Sequence, residues 1–101
     1  MVSLNTPKFK LGKTVATPGA LDALSKSNQS PQSFLERHIM GDWGNVCKED
    51  AALNNEAVAY EGNMDKQQRV LSSYKTSKGD IIWIITEWDR SVTTILLPSE
   101  Y

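Results

Sequence analysis

The chain has 101 residues, enough for one domain with a single modest core and too few for two. Its 11 Lys plus Arg against 12 Asp plus Glu leave a net charge of −1, so no field of one sign gathers nucleic acid or an anionic membrane surface. The single cysteine, Cys47, excludes an internal disulfide and a thiol cluster for zinc, which fits a reducing compartment.

Residues Met1 to Val15 (MVSLNTPKFKLGKTV) show no sustained period; Val2, Leu4, Phe9 and Leu11 are scattered among lysines, and Pro7 interrupts them. The segment reads as an arm over residues 1–16, either a mobile tail or a short strand packed on the domain. It lacks the basic and apolar regions of a secretion signal, and no apolar run in the chain approaches the ~20 residues of a membrane span. A soluble, cytoplasmic protein is the expectation.

Thr17-Pro18 starts a helix, a hydroxyl cap followed by proline where a missing N–H costs nothing. Ala20, Leu21, Ala23 and Leu24 give it about two turns before the polar stretch Ser25 to Gln29 ends it. Ser30-Pro31 repeats the signal, and Phe34, Leu35, His38 and Ile39 form one stripe of a second helix. Gly41 is placed to close that helix in the left-handed conformation. In the connection Asp42-Trp43-Gly44 the backbone turns at glycine, and Trp43 is expected to be mostly buried. Glu49 and Asp50 mark the first turn of a third helix, whose buried stripe reads as Leu53, Ala57 and Tyr60, with Val46 packing at its start and Gly62-Asn63 stopping it.

The last third carries the strands. Arg69 to Lys75 alternates, Ser77-Lys78-Gly79 supplies a hairpin loop, and Ile81 to Glu87 follows. Within it Ile82 and Ile84 face one way, while Ile81, Trp83 and Ile85 face the other. A strand apolar on both faces is covered on both, which makes this the middle strand and makes an aspartate at Ile81 or Ile84 incompatible with folding. The helices can cover one face. The N-terminal arm, or failing that a second copy, is expected over the other. Glu87 to Ser91 forms the second turn and Val92 to Leu97 the third strand, which Pro98 ends.

GDWG at 41–44, the ending WIITEWDRSVTTILLPSEY at 83–101 and TPGAL at 17–21 resemble a family of short bacterial proteins, often labelled hypothetical or plasmid-related. The resemblance covers residue 17 to the end. It implies a bacterial, mobile-element origin and carries no functional residues over.

Three groups of side chains are candidates for function. His38 is the only histidine, so any general acid–base scheme at neutral pH would start with it; the plainer reading is a helix-end histidine hydrogen-bonded to a turn. The turn Glu87, Trp88, Asp89, Arg90 reads either as a turn shaped by Asp89 and Ser91 or as an exposed recognition loop, with Trp88 as anchor beside Arg90. Helices followed by a meander, with one histidine and an Arg-Ser-x-Thr-Thr run, also match the layout of small metal-independent ribonucleases of the barnase and colicin type. There His38 would be acid or base, Arg90 would hold the phosphate, and Thr93 or Thr94 would steady the transition state. No metal site, phosphate loop or nucleophile elbow is recognisable.

The combined expectation is an α+β domain at residues 17–101, with two or three short helices packed on a three-stranded antiparallel meander that a further strand could extend. The favoured function is a non-catalytic protein-binding module of a bacterial mobile element, acting on a host or defence protein. The alternative is a ribonuclease-like toxin. A protein partner is expected, as monomer or homodimer; no cofactor, metal, membrane or nucleic-acid partner is.

Overall fold

Both hydroxyl–proline pairs begin helices. In the computed structural model, which describes residues 6–101, α1 spans Pro18–Ser27 and α2 spans Pro31–Ile39. The Thr17 side chain accepts from the Ala20 N–H and that of Ser30 from the Ser33 N–H, satisfying donors that a helix start leaves orphaned. Gly41 follows α2 at φ 86°, as expected of its closing residue. A third helix, α3, spans Lys48–Ala59 with Glu49 and Asp50 in its first turn.

Before these helices lies a strand, β1 (Lys13–Ala16); after them come β2 (Val70–Lys75), β3 (Ile81–Thr86) and β4 (Val92–Leu96), then a short 3-10 turn at Pro98–Glu100. The three later strands form the expected antiparallel meander with β3 inside it. The sheet as a whole corrects the three-stranded antiparallel reading: it has four strands in the order β1-β4-β3-β2, and β1 runs parallel to β4. A short strand is one of the two readings of this arm; its partner and direction stay hidden, because Lys-Thr-Val-Ala is too short to show a period and β4 lies near the other end of the chain. Gly12 makes the approach possible at φ 65°, since a Cβ there would strike the Arg90 and Ser91 carbonyls.

The register gives the sheet two unlike faces. Ser72, Tyr74, Ile82, Ile84, Thr86, Thr93 and Ile95 share the face on which the helices lie. There Ala20, Ala23 and Leu24 of α1 and Phe34 and Leu35 of α2 pack against Tyr74, Ile82, Ile84 and Ile95. Ile82 and Ile84 are wholly buried, each contributing about 1.5–3 kcal/mol of transfer free energy. A second cluster on this side joins Phe9, Trp43, Ala57 and Val70. Trp43 is buried as expected, its indole N–H donating to Asn55 Oδ1 at 3.0 Å.

The opposite face carries the row Val15, Thr94, Ile85, Leu71 and, beside it, Leu96, Trp83 and Ser73. Neither core cluster includes any of these residues; Ile85, Leu96 and Ser73 are nonetheless buried, Leu71, Trp83 and Thr94 are half-buried, and Val15 is exposed. The described residues of the arm do not supply the expected cover, because Phe9 and Leu11 pack on the helix side and β1 joins the sheet edge instead. Val2 and Leu4, also proposed for that cover, lie outside the described residues. Ile81 is 37% exposed, so the burial on which the expectation for an aspartate there rested is not found.

Helix α3 straddles the β2 edge, and its buried face is Asn54 and Ala57; of the predicted stripe Ala57 is buried and Tyr60 half-buried, while Leu53 is 51% exposed. The Asn54 carboxamide explains the shift. It accepts from the Leu71 N–H (3.0 Å) and donates to the Leu71 carbonyl (2.6 Å), doing for β2 what a neighbouring strand would do. One residue pair along, the Ser73 N–H donates to the Trp43 carbonyl and the Asn45 N–H to the Ser73 carbonyl. Gly44 between them must be glycine, because a Cβ would strike the Ser73 carbonyl and φ is 72°. The β2 edge is thereby closed.

Candidate functional site

Helical spacing sets His38 one turn beyond Phe34 on the sheet-facing side of α2, and the side chain has no solvent exposure. Both ring nitrogens meet hydroxyls, Nδ1 to Ser72 Oγ at 2.6 Å and Nε2 to Thr86 Oγ1 at 2.9 Å. Counting protons orients the run. Thr93 donates to the Leu11 carbonyl (2.7 Å), so its oxygen can only accept from Thr86, 2.7 Å away. Thr86 therefore accepts from Nε2–H, and the bare Nδ1 accepts from Ser72. One directed chain, Ser72 to His38 to Thr86 to Thr93 to Leu11, links β2, α2, β3, β4 and the arm.

Charging this imidazole would require the buried ring to bind a second proton at a nitrogen that already accepts. Burial, and then the Arg90 guanidinium, lower the His38 pKa from 6.5 to about 3. The Phe9 ring stands edge-on to His38, with centroids 5.0 Å apart, and Trp43 closes another side at 6.1 Å.

The turn after β3 splits the four residues singled out in it. Glu87, Trp88 and Asp89 are exposed, Trp88 to 49%, and Asp89 shapes the turn by accepting from the Ser91 N–H. Arg90 turns inward instead. Its φ of 60° folds the side chain beneath the turn, where it lies over the Phe9 ring and is 8% exposed. Nε and Nη2 donate to the Glu61 carboxylate, and Nη1 to the carbonyls of Gln68 and Glu87. A left-handed residue and a carboxylate 29 positions away were not readable from the local sequence.

Three residues of the ribonuclease reading, His38, Arg90 and Thr93, thus meet on the closed side of the sheet, while Thr94 faces the open side. Within that closed set each polar group already has a protein partner. No ring nitrogen of His38 and no face of the Arg90 guanidinium is presented to a phosphate. Among the described residues no group of three or more His, Cys, Asp or Glu could hold a metal ion, and no helix is long and apolar enough to cross a membrane.

The open sheet face is the other candidate. Its centre is Trp83, flanked by Leu96 and Ser73 across the strands, with Ile85 and Leu71 in the next row. Among the described residues the C-terminal turn reaches this centre, through the exposed Tyr101 ring standing edge-on to Trp83 with centroids 5.7 Å apart. Glu100 fixes that turn by accepting from Thr17 Oγ1 and the Gly19 and Leu97 N–H groups. Leu53 of α3 approaches Leu71 at the far side. Leu71, Leu96 and Tyr101 were not singled out from the sequence, although the two-sided apolarity of β3 already pointed to this surface. No family model, curated protein or solved structure matches the chain.

Proposed function

We propose that this protein is a non-catalytic protein-binding module whose contact surface is the open face of the sheet. One observation carries the reading: among the described residues no helix of either core cluster packs on the row from Val15 through buried Ile85 to Leu71, and Val15, Leu71, Trp83 and Tyr101 keep part of their apolar surface in water. Large aromatic residues at the centre of such a surface are the types that dominate binding energy at interfaces. The partner is a protein presenting an apolar patch. The rim offers both signs, Lys13 and Lys75 with Glu87, so a partner of strong single charge is disfavoured. The sequence resemblance to mobile-element proteins makes a host or defence protein the first class to try.

The test captures partners from a bacterial host with the tagged full chain, then measures the purified partner against wild type and two variants. Trp83→Lys is expected to weaken binding by about thirtyfold or more, the scale of an interface hot spot. His38→Asn, on the closed side, is expected to leave affinity unchanged while the protein stays folded. Equal binding by Trp83→Lys rejects the surface. RNA cleavage that His38→Asn abolishes rejects the non-catalytic reading and supports the ribonuclease alternative.

A further inference from the structure

The two edges of the sheet are treated differently. The β2 edge is closed by Asn54 and by the Trp43–Asn45 backbone, whereas nothing among the described residues pairs with the outer edge of β1. Lys13 N–H donates to the Ser91 carbonyl and Thr17 N–H to that of Ile95, so residues 13, 15 and 17 point their backbone groups at β4. By alternation Thr14 and Ala16 point theirs outward.

We propose that this edge pairs antiparallel with β1 of a second copy, about a two-fold axis through Val15. Three features select that partner and register. Residues pairing by reciprocal hydrogen bonds must both face outward, so Thr14 of each copy meets Ala16 of the other, giving about four backbone hydrogen bonds. Val15, 38% exposed, then faces its own counterpart on the open side as a close apolar pair. Lys13 faces Thr17 of the second copy, which is where Glu100 is held by its contacts with Thr17 and Gly19.

Lys13 and Glu100 make no ion pair within the chain among the described residues, and this pairing brings each to the other's opposite charge twice over. A groove of about 370 Å³ between β1 and α2, lined by Leu11, Leu35, Ile39 and Ile95, opens along the same edge and gains an outer wall from the added strand. The row Val15, Thr94, Ile85, Leu71 then continues unbroken across the axis. The pairing stands whether or not the open face binds another protein.

Sedimentation equilibrium on the full chain is expected to show a dimer. Thr14→Pro removes an outward N–H that makes no bond among the described residues, so a folded monomer is expected. Lys13→Glu is expected to weaken the dimer about tenfold at low salt and less at high salt. Register is read by cross-linking in a Cys47→Ser background. Val15→Cys should oxidise to a covalent dimer because residues opposite each other at a non-hydrogen-bonded position lie within disulfide reach, whereas Lys13→Cys should not. If Thr14→Pro fails to fold, the cross-linking pattern decides alone. A wild-type monomer at millimolar concentration, a folded Thr14→Pro dimer, or equal cross-linking at both positions overturns the proposal. Loss of partner capture in Trp83→Lys with the dimer intact would leave it standing.

Discussion

The two faces of the sheet are built from nearly the same residue types and behave as opposites. On β3, Ile82 and Ile84 lie under α1 and α2 without solvent exposure, while Ile81 and Trp83, on the other face with buried Ile85, keep part of their surface in water, and the C-terminal turn arrives there through Tyr101. The closed face also carries the polar work. His38, Ser72, Thr86 and Thr93 are buried there in one directed hydrogen-bond chain, and every buried side-chain nitrogen and oxygen among the described residues has a partner. Polarity buried and satisfied beside apolar groups left partly in water is the reverse of what residue type alone suggests. It puts structural specificity on the closed side and leaves the other as the surface proposed for binding.

The largest expected effect tests the closed face. Ile84→Asp puts a carboxylate where no partner can reach it, at a cost of several kcal/mol against a typical total of ~5–15 kcal/mol. The variant should be insoluble, or lack a cooperative melting transition by circular dichroism. A soluble, cooperatively melting Ile84→Asp protein would show that β3 is not sealed under the helices.

A smaller effect reads the hydrogen-bond chain through pH. The unfolded chain protonates His38 near 6.5, whereas the folded one holds it neutral to about 3. Between those values the unfolded state binds the extra proton, so stability is highest above pH 6.5 and falls as the pH drops, by about 1.4 kcal/mol per unit. Asp42, held down by Arg37, and Asp89 and Glu100, held down by hydroxyl and backbone donors, lose their contributions only on further acidification. Down to about pH 4.5 the slope therefore belongs chiefly to His38, ordinary carboxylates titrating near 4. Urea unfolding at pH 7 and pH 5 should show this loss in wild type and a nearly flat response in His38→Asn. An equally steep fall in His38→Asn means the imidazole is not held neutral.

What could be read from the sequence divides along the same line. Local signals sufficed for the helix starts at Thr17 and Ser30, the burial of Trp43 and the meander from Val70 to Leu96, because caps, glycines and two-residue alternation act over a few positions. The pairing of β1 with β4 did not show, being four residues long and closed across most of the chain. Nor did the face of α3, where the helix turns on the Asn54 clamp while periodicity favoured Leu53. Thr93 read as an ordinary β-branched strand residue, and its place in the His38 chain follows only once Ser72, Thr86 and the Leu11 carbonyl are brought together. Long-range polar partners leave no periodic trace.

The smallest expected effect is the sharpest test of the comparison. Ile81 begins β3 opposite Lys75, on the same side as Trp83, and is more than a third exposed. If that side is open to water, Ile81→Asp removes a half-wet apolar contact and leaves its carboxylate hydrated, close to Lys75 across the strands. The cost should then be that of a surface change, about 1 kcal/mol or less, a few degrees in melting temperature for a domain of this size. The same substitution three strand positions away, on the closed face, is expected to abolish folding, so the pair Ile81→Asp and Ile84→Asp separates the faces by their response to one chemical change. A concentrated dimer joined through β1 leaves the result unaltered, because Ile81 lies on the far side of β4 from that edge. An Ile81→Asp protein that melts cooperatively near the wild type confirms the open side. One that unfolds requires a cover over Ile81 and Trp83 within the folded chain, and the binding surface would then have to be sought at the exposed turn around Trp88.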